Sequence, residues 1–168
     1  MKIEHLDERV NEYKNSITTV VEKRLLWKNK TKKLIVNTLK KAEEKYPIGW
    51  QVQELHWIHS NEAVNITFES FPPELIELTN QLPTYQFLQG SSLVFTQLHN
   101  GDINVLILFA IPERSMPTDE DSEDLGTYSP EAITETFIAE KIDAFLKEII
   151  KNDVPAPVGK MGFSREKP

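Results

Sequence analysis

No cysteine occurs among the 168 residues, which excludes disulfides, thiolate metal sites and cysteine nucleophiles together. No apolar run approaches the ~18 residues of a membrane-spanning helix, and the opening Met1–His5 does not begin a secretory signal. Those absences predict a cytoplasmic protein. The glycine-dependent signatures are missing too: there is no P-loop, no G-x-G-x-x-G and no G-x-S-x-G elbow, and H-E-x-x-H is also absent. Gly159–Gly162 is too short for a phosphate loop and follows no strand. No cofactor is implied.

The least ordinary absence is that of positive charge. Residues 47–111 hold no Lys or Arg and 6 acids, whereas residues 1–46 hold 12 basic residues against 7 acids. Residues 112–168 hold 7 against 13. A block of that size at the chain's average composition would hold roughly seven basic residues. Phosphate, nucleotide or nucleic-acid binding on the middle block is therefore disfavoured. Monomeric sheets usually guard their edges with Lys, and none is available there. Either the basic N-terminal helix or a second chain is expected to cover an edge or outer face.

What is present organises around Ser91–Ile111, where Asn100-Gly101 separates two β-rich runs and predicts a hairpin with a two-residue type I′ turn. The second arm is apolar on both faces, which predicts a strand in the middle of the sheet, covered on both sides. Trp50–Ile58 and Ala63–Phe71 predict a second hairpin, with Val64, Ile66 and Phe68 inward and Asn65, Thr67 and Glu69 outward. Pro73 begins a short helix over Glu74–Asn80, and Tyr85–Leu88 is a candidate fifth strand. Residues 112–128 read as a mobile acidic loop. Ser129 is expected to cap the final helix, with Pro130 at its first position.

The N-terminal segment is a helix by period. Ile3, Leu6, Val10, Tyr13, Ile17 and Val20 alternate at spacings of three and four, the seam of a coiled coil, though under three heptads long. After Val20 the stripe jumps, so the helix either kinks near Asn29–Thr31 or changes partner there. Packing on its own sheet and pairing with a second copy both satisfy the seam. Lys23–Lys45 carries nine basic residues, which suits an anionic surface or a solvated face answering the acidic remainder of the molecule.

Metal chemistry finds little support. His56 and His59 lie three apart, so on a strand they face opposite ways and cannot share a metal. A calcium loop beginning at Asp121 would put Leu125 and Ala132 where oxygen ligands belong. No metal is implied.

These patterns predict an α+β fold. An antiparallel sheet of 4–5 strands carries a long N-terminal helix and a C-terminal helix, in one domain over residues 1–152, with an extended or disordered tail over 153–168. The element order over about residues 1–150 resembles that of the small acidic type III secretion chaperones. That resemblance implies homodimers that bind extended segments of partner proteins. This chain departs from them in placing its third strand after the short helix. The function expected is a non-enzymatic interaction module, chaperone- or adaptor-like, partnered by itself or by another protein through an uncharged polar sheet surface. The alternatives are a small-molecule site between sheet and final helix, and an anionic-surface binder through residues 23–45. Trp50, His56, Trp57, Asn65, Tyr85 and Gln97 are the candidate ligand- or partner-facing residues.

Overall fold

Every strand pairs with its neighbour in the sequence, giving a five-stranded antiparallel meander in the order β1-β2-β3-β4-β5. The computed structural model describes residues 1–56, 61–79, 81, 90–110 and 122–153. The strands are β1 (Trp50–His56), β2 (Glu62–Phe68), β3 (Ser92–Gln97), β4 (Ile103–Leu108) and β5 (Ser122–Tyr128). The helices are α1 (Asp7–Leu26), α2 (Lys32–Lys45), α3 (Ile76–Thr79) and α4 (Glu135–Asp153). The class is α+β, with the long N-terminal and the C-terminal helix that the periodicity predicts. β3 follows α3, where the element order departs from that of the type III secretion chaperones.

α1 and α2 form one rod. Trp27–Thr31 between them is a π-helical turn, closed by the Lys32 N–H on the Trp27 carbonyl. This wider turn holds one extra residue, which shifts the buried face by about 100° between Trp27 and Ile35 without breaking the helix. Trp27 and Thr31 are buried at the turn, and Ile35, Thr38 and Leu39 continue the buried face along α2.

One sheet face carries the core. Val64, Ile66, Leu93, Phe95, Val105 and Ile107 are fully buried, clustered with Ile35 and Leu39 of α2 and Ile138 and Phe145 of α4. Trp50 stacks on Phe68 at 5.7 Å between ring centres, and Phe68 meets Phe145 at 5.6 Å. These three aromatics fill space between sheet and final helix.

Several expectations change. β4 is interior to the sheet as expected, between β3 and β5, but it alternates buried Ile103, Val105 and Ile107 with half-buried Asn104, Leu106 and Leu108, and the strand with every residue buried is β3. The hairpin turn is not of the two-residue type. Gly101 N–H bonds Leu98 O and Leu98 N–H bonds Asp102 O, closing a three-residue loop with Gly101 at φ +90°. Asn65 and Thr67 face away from Val64 and Ile66 as the alternation predicts, but this second face is buried as well, and on it Thr67 donates to Ser91 O and accepts from Ser92 Oγ at 2.7 Å. The C-terminal part of the expected acidic loop is an edge strand. Gly126 sits at φ +111°, beside a register shift opposite Asn104, and this irregularity hides the strand's alternation. Ser129 caps only the 3₁₀ turn Pro130–Ala132. Ile133 is then extended and Thr134 Oγ1 accepts the Phe137 N–H, so α4 starts later than the Ser-Pro signal implies. The Tyr85–Leu88 strand and the tail beyond Asp153 lie outside the described residues.

Candidate interaction site

α1 has no buried residue. Its seam divides into two parts. Over the last two turns the seam side packs on the tip of the β3–β4 hairpin. Lys23 Nζ lies 2.8 Å from Asp102 Oδ1, and Arg24 Nη1 donates to Leu98 O and His99 O at 3.3 Å each. Gly101 approaches so closely that a Cβ there would stand 2.5 Å from the Lys23 Cβ. Val20 is half-buried at this contact. Before it the same side of the helix is bare: Ile3 is 81% exposed, Leu6 42%, Val10 45%, Tyr13 65% and Ile17 43%. Val21 and Leu25 widen the apolar face at its flank. It is a row of large apolar side chains on a helix that buries none of them.

A polar hub secures the other end of the turn. The Trp27 indole donates to Glu62 Oε1 at 3.0 Å, and Lys32 Nζ lies 3.2 Å from both Glu62 and Glu54. His56 Nε2 is 3.1 Å from the second Glu62 oxygen. The Trp27 hydrogen bond, helped by Lys32 and His56, outweighs burial and holds the Glu62 carboxyl below its ordinary value. Burial opposes the charge on Lys32, yet its two glutamate partners raise its pKa. The hub is a structural clamp on the π-turn.

The sheet edges are guarded within the chain. On β1, Glu43 of α2 accepts the Val52 N–H at 3.1 Å and Lys32 pairs with Glu54, so the basic rod attends that edge. On β5, Asp124 accepts from Gly126 N–H and Asn104 Nδ2. Those bonds, the backbone one foremost, lower its pKa and keep a charge on the bulged edge.

The six candidate residues separate. Trp50 is a core residue whose indole donates to Tyr46 O at 2.8 Å. His56 is exposed on the Glu62 hub. Asn65 and Gln97 are buried at 6% and 4% exposure, and the Asn65 side-chain carbonyl has no hydrogen-bond partner. Trp57 and Tyr85 lie outside the described residues, as does His59. Among the described residues no three His, Asp or Glu gather to hold a metal ion, and no helix is long and apolar enough to cross a membrane. A cleft of about 190 Å³ lies between Leu26, Lys30 and Leu34 on one side and Pro130–Ile133 on the other. It is smaller than the ~300 Å³ at which ligand pockets begin.

Sequence reasoning found the seam but missed the clamp. Lys23 and Asp102 are 79 residues apart, Trp27 and Glu62 are 35, and no local signal joins either pair. No family model, curated protein or solved structure matches the chain.

Proposed function

We propose that this chain is a non-enzymatic interaction module that forms a homodimer through α1. The observation that carries this reading is the bare seam from Ile3 to Ile17. Helices in water draw most of their stability from packing an amphipathic face, and this one packs only its last two turns. The docking element is α1 rather than the uncharged sheet face, since Asn65, Thr67, Ser92 and Thr96 of that face are covered in the chain itself. Five of the nine basic residues between Lys23 and Lys45 make contacts within the chain: Lys23, Arg24, Lys32, Lys41, and Lys45, whose ammonium lies over the Tyr46 ring. That weakens the case for the rod as an anionic-surface binder.

The test is solution mass by light scattering at low micromolar protein and two salt concentrations. A dimer that survives high salt is expected, because the contact is apolar. Val10→Asp with Ile17→Asp should give a monomer whose sheet keeps its hydrogen-exchange protection. A wild-type monomer at every concentration would remove homodimerisation.

A further inference from the structure

We infer that residues 3–19 are a strap that becomes helical by propagation from a preformed end, so that the apolar row on α1 is assembled only as far as the helix has run. The inference concerns the arm with nothing docked on it and stands apart from the homodimer reading.

The preformed end is the stretch from Val20 to Thr31. Lys23 and Arg24 are tied to the hairpin tip, the Trp27 indole is tied to Glu62, and Trp27 and Thr31 are buried. Starting a helix fixes three residues for one hydrogen bond, an equilibrium penalty of about 10⁻³. Here the clamps hold that nucleus already. Each residue before Val20 then gains one hydrogen bond for fixing its own backbone, a step whose equilibrium constant lies close to unity.

The arm does little to raise that constant. Residues 3–19 contain no alanine, and Asn11, Asn15, Ser16, Ile17, Thr18 and Thr19 are weak helix formers. Glu4, Glu8 and Glu12 follow one another at the four-residue spacing where like charges on a helix repel. The ion pair Arg9–Glu12 opposes this at one point. Thr18 and Thr19 donate to Lys14 O and Asn15 O, bonds that bend a helix rather than extend it. At the far end Lys2 supplies no side-chain cap, and Ile3–Leu6 is already a 3₁₀ turn. No burial offsets these costs, since α1 buries no residue.

The strap therefore unzips from Ile3 toward Val20 while the sheet stays folded. This makes an order–disorder switch with its nucleus built in. An apolar surface laid on the row stabilises its turns one after another. Without one, the row is broken up instead of being held in water as a continuous stripe.

Hydrogen exchange on the full chain tests this, in the wild type where light scattering gives a monomer and otherwise in Val10→Asp with Ile17→Asp. Amides of Asn11–Ser16 should be protected about 100-fold less than those of Arg24–Leu26, with protection falling toward Asn11. Glu8→Lys with Asn15→Ala should raise arm protection roughly five-fold. Thr19→Pro removes an N–H and crowds the Asn15 carbonyl, cutting the strap from its nucleus. It should leave Asn11–Ser16 unprotected while Arg24–Leu26, β2 and β3 keep their protection. Equal protection of Asn11–Ser16 and Arg24–Leu26 in the monomer overturns the inference, as does arm protection that survives Thr19→Pro. An unprotected arm that Glu8→Lys with Asn15→Ala leaves unchanged overturns it too. Solution mass alone decides the homodimer, so the two readings fail separately.

Discussion

Lys23 Nζ and Asp102 Oδ1 meet at 2.8 Å across 79 residues of sequence, and both side chains are more than three-quarters covered. The pair pins the last turns of α1 to the hairpin tip and so fixes where the bare seam ends. A double-mutant cycle on Lys23→Ala and Asp102→Ala, read by urea denaturation, should return a coupling of about 1 kcal/mol. The exposed pairs Arg9–Glu12 and Lys147–Asp143 should return close to none.

Gly101→Ala should lower stability by about 2 kcal/mol. Its φ of +90° strains any L side chain, and the new methyl would overlap the Lys23 side chain. The urea midpoint reports the loss. Hydrogen exchange should place it in the last turns of α1 and the hairpin tip, while α4 keeps its protection relative to the global transition.

The Glu62 hub sets a pH window. The folded Glu62 carboxyl lies below its ordinary 4.5, so its contribution is present above that value and lost as pH falls through the depressed one. Lys32 lies above its ordinary 10.5, so its contribution is complete below that value and lost as pH rises through the raised one. Urea midpoints between about pH 3 and 7 should fall on the acid side in the wild type. Glu62→Gln should flatten that fall and reduce neutral-pH stability by about 1 kcal/mol. Equal acid slopes in the two proteins would show that Glu62 does not carry the effect.

Phe145→Ala should cost about 3–5 kcal/mol, because it opens a cavity beneath Phe68 at the centre of the core. Tyr13→Ala, on the bare seam, should leave monomer stability within about 0.5 kcal/mol. The contrast, read by thermal melting at low micromolar concentration, separates the core from the exposed seam.

Local pattern carried much of the fold. The alternation of Val64, Ile66 and Phe68, the seam of α1 and the apolar stripe of α4 each follow from period, and period reports a neighbouring surface whatever its identity. The strand β5 was not legible, because the irregularity at Gly126 puts its half-buried Leu125 and Tyr128 out of step. The burial of Thr67 was not legible either, since its partner Ser92 lies 25 residues away. Of the candidate site, the seam was visible as two competing readings. Which of its turns the chain's own hairpin tip takes is a tertiary fact that no local pattern carries. Trp50 looked like a site residue because large aromatics mark both cores and surfaces; here it belongs to the core.

The single extra residue in the turn at Trp27–Thr31 sets the relative phase of a screw. Every position N-terminal to it is turned by about 100° relative to an uninterrupted helix, so α2 stays seated on the sheet while α1 faces elsewhere. Removing one residue from that turn would leave both halves helical yet swing the Ile3–Ile17 row away from the line it now follows. One codon at Asn29 therefore controls the bearing of the whole arm, a degree of freedom separate from the chemistry of the side chains it aims.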